Sequence, residues 1–241
     1  FCCEPIQGSG GVIIPPRGWL KAMRDACTRL DILMLVDEVI TGFGRTGPMF
    51  ACEAEGVSPD FMTLAKGLTS GYLPMGAALM ADHIYQAIAD SAPEALPVGH
   101  GFTYSGHPVC AAVALEGLRL YREGGLLENA AKTAVRFEKH LEELRSHPLV
   151  GDVRNRGLLG AIELVADKET KAPFPAGLDI AGLLSQITWD NRVIVRCFAN
   201  GVIGFAPALC CSEDEMDEIM RRITTSLDQL VALDDVRAAL R

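Results

Sequence analysis

Residues 35–47 read LVDEVITGFGRTG and residues 63–76 read TLAKGLTSGYLPMG. Ile32, Leu33, Met34, Leu35 and Val36 form the short apolar run that a parallel strand buried on both faces requires, and Asp37 and Glu38 end it. Consecutive strand residues face opposite ways, so at most one of these two acids can aim into a given pocket. Gly42, Gly44 and Gly47 then allow the backbone to turn sharply or to approach a ligand closely. A second apolar run, Phe61, Met62, Leu64 and Ala65, leads into Lys66, after which Gly67, Gly71, Pro74 and Gly76 mark another tight loop.

A lysine at the end of an apolar strand ordinarily snorkels its amine into water, and the rarity of fully buried lysine favours that reading for a lone one. The alternative is a desolvated amine, whose pKa burial can bring to roughly 7–8, where the neutral form is both nucleophile and base. An acid at a neighbouring strand end adds weight to the alternative, because open α/β sheets bind ligands outside the carboxyl ends of their strands. Asp and Lys together there suggest a pyridoxal phosphate site, with the amine forming a Schiff base and the acid pairing with the pyridinium nitrogen.

Four stretches in this order, EPIQGSGGVIIPP (4–16), VDEVITGFGRTG (36–47), TLAKGLTSGYLPMGA (63–77) and HGFTYSGHPVCAA (100–112), resemble the class III pyridoxal-phosphate aminotransferases, the ω-aminotransferase group. Downstream, RNRGLLGAIEL (154–164) and VIVRCFANGVIGFAPAL (193–209) resemble the small domain of that family. The resemblance implies an α/β architecture of PLP-dependent transferase fold type I. Residues 1–124 would then form the C-terminal part of the large PLP-binding domain, and residues 125–241 a small C-terminal α/β domain. It also implies pyridoxal 5'-phosphate as cofactor and a homodimer with its active site at the interface. The reaction implied is transfer of an amino group from an amine, polyamine or ω-amino acid to a 2-oxo acid such as pyruvate. The opening FCCEP reads as the tail of a core strand, whereas the family carries a long N-terminal part with a phosphate-binding glycine/serine loop and a ring-stacking aromatic. The chain is therefore expected to be the C-terminal portion of such an enzyme.

Roles carry over where the motifs match. Lys66 resembles the Schiff-base lysine that also shuttles the proton between the substrate α-carbon and the cofactor C4′. Asp37 resembles the acid that keeps the pyridine nitrogen protonated, and Val39 the residue that packs on a ring face. Thr103 matches the residue that reaches the neighbouring subunit's cofactor phosphate, helped by the backbone around Phe102. From the residues alone, Thr103 reads as a loop threonine capping the helix that Pro108 opens. Arg196 matches the residue that grips a substrate carboxylate, for which a guanidinium offers a bidentate fit. On spacing alone it reads equally as a strand-end arginine in a surface ion pair. Ser9 stands where ornithine and γ-aminobutyrate members carry a glutamate, and Ile40 where acetylornithine-like members carry glutamine. Both departures favour the amine:pyruvate or polyamine:pyruvate branch.

Composition bounds the reading independently. The 241 residues suffice for one or two domains, and 49% hydrophobic with 22% charged residues is ordinary for a globular chain. The net charge of −9 and the lack of a basic cluster speak against nucleic acid as a partner. No apolar run approaches the ~18–20 residues of a membrane span, so a soluble cytoplasmic protein is expected. The eight cysteines include no C-x-x-C pair, and no H-E-x-x-H accompanies the five histidines, so no metal is expected and the thiols are expected reduced and mostly buried.

Periodicity places the remaining elements. Helices are expected after Pro15–Pro16, with Trp19, Leu20, Met23, Ala26, Cys27 and Leu30 inward, from Asp82, and from Pro108 to about Arg122. A buried strand is expected at 77–81 and a loop at 91–101. Beyond Gly124–Gly125, an amphipathic helix spans 126–145 with Leu127, Ala131, Ala134, Val135, Phe137, Leu141 and Leu144 apolar, and His140 and His147 solvated. Strands at 151–156 and 158–165, a helix at 178–189 and strands at 193–196 and 202–205 follow. Ser212 with Glu215 forms a capping box for a last helix whose stripe is Met216, Ile219, Ile223, Leu227 and Leu230.

Two rival functions remain open at this point. One is a same-fold aminomutase of the glutamate-1-semialdehyde type, which returns the amine to its own substrate. The other is a catalytically incompetent fragment acting as a binding or assembly module, in which Lys66 is a solvated surface residue.

Overall fold

The computed structural model describes residues 1–91 and 101–241. The loop expected at 91–101 lies almost entirely outside the described residues. The chain forms two compact units. The first comprises Phe1–Ile6, Pro15–Gly44 and Pro48–Leu126, and the second Gln7–Ile14, Arg45–Gly47 and Leu127–Arg241.

The first unit is built on a four-stranded sheet of β1 (Cys2–Cys3), β2 (Leu35–Asp37), β3 (Phe61–Leu64) and β4 (Ala77–Met80), in that order. β1, β2 and β3 are parallel, and β4 pairs antiparallel with β3. Val36 faces a cluster of Leu20, Cys27, Met34, Cys52 and Val57, against which Cys3 and Met62 also pack. Leu20 and Cys27 come from helix α1 (Trp19–Arg29), and Cys52 from a short 3-10 turn at Ala51–Glu55. α2 (Asp82–Ser91) and α3 (Pro108–Glu123) complete the unit.

Sequence reading overstated the strands here. Ile32 and Leu33 are exposed, and the ladder begins only at Leu35, because β1 offers two residues for pairing. β4, expected to be buried, has Ala78 and Leu79 exposed, since among the described residues it has a neighbour on one side only. Leu30 is exposed at the end of α1.

Asp60, buried at the start of β3, ties this unit together. Its Oδ2 accepts from Arg24 at 2.7 Å and from the Met34 amide at 2.6 Å, and Oδ1 lies 3.3 Å from His83. Burial pushes the Asp60 carboxyl up, but the hydrogen bonds from Arg24 and Met34, together with the Arg24 and His83 charges, outweigh it and hold the carboxyl below its usual 3.8. A folded-state value below the unfolded one stabilises the protein above about pH 4 and is lost as the pH falls through the depressed value. Asp60→Asn leaves Arg24, whose Nε already lacks a partner, facing a neutral amide. It should cost about 1–3 kcal/mol at pH 7, read from the urea midpoint. The gap from wild type should close below about pH 4.

The second unit carries an antiparallel sheet in the order β5 (Val150–Arg156), β6 (Leu159–Leu164), β8 (Val202–Phe205), β7 (Arg196–Cys197). Helices α4 (Leu126–Leu144), α5 (Ile180–Asp190), α6 (Glu213–Ala232) and α7 (Asp234–Ala239) contribute to its core. The capping box is present: Ser212 Oγ accepts from the Glu215 amide and the Glu215 side chain accepts from the Ser212 amide. The inward face of α4 is Ala130, Thr133, Phe137, Leu141 and Leu144, so Val135 and Ala131 point outward against expectation, and Val135 is 69% exposed. Phe137, in edge contact with Phe205, and Leu141 and Leu144 face inward as expected, and only toward the helix start do Ala130 and Thr133 take the inward positions instead. β7 begins at Arg196, later than expected, because only Arg196 and Cys197 reach register with β8, leaving Ile194 82% exposed.

Neither histidine is simply solvated. His140 bonds Asp217 at 2.7 Å, and the His147 side chain is 9% exposed, with burial lowering its pKa. The eight cysteines are free, and only Cys27 and Cys52 are buried, fewer than expected.

Candidate active site

The parallel register places Asp37 beside Thr63, so the two share a face at the carboxyl ends of β2 and β3, and Lys66 follows three residues beyond Thr63. Glu38 faces the other way and is fully buried. One carboxylate oxygen of Glu38 accepts from the Cys52 amide at 2.8 Å and the other from the Thr41 hydroxyl. Burial and the Glu38 carboxylate push the Cys52 thiol up to about 12. Glu38 therefore fastens the loop after β2 to the 3-10 turn, and Asp37 is the acid left on the open face. Its Oδ1 accepts from the Val39 amide at 2.9 Å, which fixes the carboxylate and leaves Oδ2 for another group.

Lys66 is exposed, in contrast to a desolvated amine, and adopts φ 40°, a left-handed backbone that a side chain rarely takes. The turn that holds it rests on Gly67. A Cβ there would meet the Phe43 ring at 2.7 Å. Phe43 stacks on Tyr121 of α3, whose hydroxyl donates to the Gly67 carbonyl at 2.9 Å. Only glycine lets the lysine turn sit this close to the aromatic pair.

The donor set suits pyridoxal phosphate on one observation in particular. Thr63 Oγ1 is buried without a hydrogen-bond partner on the face that carries Asp37. Neither Asp37 nor Lys66 is engaged in an ion pair among the described residues. An acid and an amine of opposite charge, set at adjacent strand ends beside an unsatisfied hydroxyl, match a ring bearing a basic nitrogen and an aldehyde. Thr63 escaped the sequence reading, because its role depends on its register partner Asp37, which only the pairing of β2 with β3 reveals.

Phe102 and Thr103 lie in an exposed turn before α3, where the Phe102 amide donates to Ser105 Oγ at 2.8 Å. The cap of α3 is His107, whose Nδ1 accepts from the Val109 amide at 3.3 Å, so Thr103 is not the capping residue. Arg196 belongs to the second unit, exposed on β7, with its guanidinium over the Phe198 ring at 5.5 Å and no carboxylate partner among the described residues. Ser9 belongs to the same unit, on a loop held by Arg154, which donates to the carbonyls of Gly11 and Val12. Among the described residues no cluster of His, Cys, Asp or Glu could hold a metal, and no helix is long and apolar enough to cross a membrane.

The family described as Aminotransferase class-III matches residues 1–227. A putrescine–pyruvate aminotransferase of Pseudomonas aeruginosa is 42% identical over 96% of this chain and 50% of its own length. An adenosylmethionine-8-amino-7-oxononanoate aminotransferase of Staphylococcus aureus is 40% identical over 92% of this chain and 48% of its own. The crystal structure of an (S)-enantioselective omega-transaminase from Thermomicrobium roseum superposes with a TM-score of 0.91 at 41% identity, covering 96% of this chain and 51% of that one. The chain thus spans about half the length of the curated relatives it matches. With a matching family model over nearly its whole length and an α/β structure like that of solved transaminases, the chain belongs to the class III aminotransferases, pyridoxal-phosphate-dependent proteins of fold type I.

Proposed function

We propose that this chain is part of an enzyme that transfers an amino group from an amine or polyamine to pyruvate or a similar 2-oxo acid. The observation that carries the reading is the shared rung of Asp37 and Thr63, with Lys66 on the turn just beyond it. Ser9 and Ile40 in place of glutamate and glutamine, and the pyruvate named for the Pseudomonas relative, support the choice of acceptor.

Residues 1–124 are assigned to the large PLP-binding domain and 125–241 to the small C-terminal domain. Bound pyridoxal phosphate would supply an electron sink for proton loss at the substrate carbon. Lys66 would hold the cofactor through its Nζ and carry the proton away from and back to that carbon. Asp37, oriented by the Val39 amide, would keep the pyridine nitrogen protonated, and the Val39 side chain would pack on the ring. Phe102 and Thr103 would serve the phosphate of the neighbouring subunit's cofactor. Exposed Tyr72, Phe102, Tyr104, Val109 and Leu115 in the first unit support a second copy as partner. Eight free cysteines support a cytoplasmic location.

Arg196 is assigned to the substrate carboxylate. Such an enzyme must accept a donor without a carboxylate in one half-reaction and pyruvate in the other. With Ser9 offering no counter-charge, Arg196 is expected to withdraw when a neutral group occupies the site. Arg196→Ala in the full-length enzyme should lower kcat/KM for pyruvate about ten- to a hundredfold, the loss of a charge-assisted contact of about 1.5–3 kcal/mol. The monoamine half-reaction should change far less, both being read separately by cofactor absorbance. Equal losses in the two would reject the assignment.

A further inference from the structure

We propose that Phe198 is a specificity-determining residue: its ring is the resting place of Arg196, and it sets the balance between substrates with and without a carboxylate. The inference rests on the assignment of Arg196 above and adds a residue to which that assignment gives no role.

The placement follows from the strand. Phe198 follows the end of β7 directly, two residues from Arg196, and the two share a face of the extended chain. Arg196 is the register partner of Gly204 on β8, and Phe198 donates its amide to the Val202 carbonyl at 2.8 Å while accepting from the Gly201 amide at 3.0 Å. The hairpin therefore fixes the Phe198 backbone on both sides. Gly204 makes room for the ring: a Cβ at 204 would meet Phe198 Cε2 at 3.1 Å and Arg196 Cβ at 3.7 Å. The half-buried ring leans over this bare position, with the guanidinium 5.5 Å from its centroid. A guanidinium at that distance from an aromatic face is held by the ring quadrupole. No acid shares the task, since Arg196 has neither an ion pair nor a hydrogen bond from its side chain among the described residues.

The stack makes the arginine a two-position device. A carboxylate binds when Arg196 leaves the ring for the substrate, and a neutral group binds when Arg196 stays on the ring. Ring affinity therefore opposes the first and favours the second. A ligand shifts such an equilibrium only by its differential affinity, so weakening the ring position changes the ratio of the two apparent affinities by the factor the stack is worth. For an exposed cation–π contact that factor is about two- to fivefold.

Two measurements test this. In the 241-residue chain without cofactor, the Nε–Hε resonance of Arg196, identified by its loss in Arg196→Lys, should be displaced by the ring current. It should move toward the free-arginine position in Phe198→Leu and stay in Phe198→Tyr, which keeps the ring. A resonance at the free position in wild type, or one unmoved in Phe198→Leu, overturns the stack. In the full-length enzyme, Phe198→Leu should lower the ratio of apparent pyruvate KM to apparent monoamine KM about two- to fivefold. Phe198→Tyr should restore the ratio, and in an Arg196→Ala background Phe198→Leu should leave it unchanged. A ratio that is constant in the wild-type background, or that shifts equally without Arg196, overturns the proposal. If Arg196→Ala itself spares the pyruvate half-reaction, the earlier assignment of Arg196 fails, and the resonance still reports whether the stack exists.

Discussion

Asp37→Asn in the full-length enzyme should leave the cofactor bound and slow proton transfer by about two to four orders of magnitude, the kinetic equivalent of about 3–5 kcal/mol for stripping the charge from a buried ion pair. The expectation starts from the strand. Val36 and Glu38 point into the α1 side of the first unit, so Asp37 is the one acid of the DEV triplet on the open face. The Val39 amide holds its Oδ1 at 2.9 Å, and that bond survives in asparagine, whose carbonyl oxygen accepts as well. The substitution therefore changes charge with little change of position. Asparagine would not keep a pyridine nitrogen protonated, so the electron sink that bound pyridoxal phosphate would supply should weaken where the substrate proton leaves. Single-turnover rates of proton loss, followed by absorbance with an α-deuterated donor for comparison, give the measurement. A rate within threefold of wild type would count against this role for Asp37.

Glu38 makes the contrast. It is the neighbour of Asp37 in sequence and the more buried of the two, yet its oxygens are occupied by Thr41 and Cys52. Two adjacent acids thus have different work because a strand alternates its faces, and the alternation was readable before any coordinates. Which of the two faces carried the open site was not readable, since that depends on where α1 and the 3-10 turn pack.

The same division between local and distant signals runs through the fold. Pro108 at the start of α3 and the Ser212–Glu215 capping box were legible because each is a contact between residues at most a few positions apart. The excursions of the chain into the second unit at Gln7–Ile14 and Arg45–Gly47 were not. Arg154 reaches back to Gly11, and Arg45 donates to the Leu158 carbonyl at 3.1 Å, contacts that join positions more than a hundred residues apart. β7 was misplaced for a related reason: Val193, Ile194 and Val195 have strand composition, but β8 pairs only with the residues that follow them. Asp37, Val39 and Lys66 were marked by the family resemblance of their motifs, whereas Thr63 in the first unit and Phe198 in the second were not. A threonine or phenylalanine carries meaning only once its register partner is known.

Lys66 is where stability and chemistry should part most clearly. Its φ of 40° lies in the left-handed region, where a side chain costs roughly 1–2 kcal/mol relative to glycine. The Phe43–Tyr121 pair packed on Gly67 holds the turn in that state. A glycine at 66 would relieve the strain and remove the only amine on the turn. Lys66→Gly should therefore unfold at a urea midpoint equal to or above that of wild type, the relief being offset in part by the extra freedom of glycine in the unfolded chain. The same variant in the full-length enzyme should lose activity by about 10²–10⁴-fold from the missing general base alone. Added methylamine should restore part of the loss, because a free amine would carry the proton assigned to Lys66. Borohydride treatment of the wild-type enzyme with pyridoxal phosphate should label the TLAKGL peptide, and the variant should take no label there. A label on another peptide rejects the assignment, and a variant that is both inactive and markedly less stable would mean that Lys66 serves the fold. A lysine kept in a backbone state that glycine prefers, on a turn closed by two aromatic rings, is what a residue retained for its amine should look like.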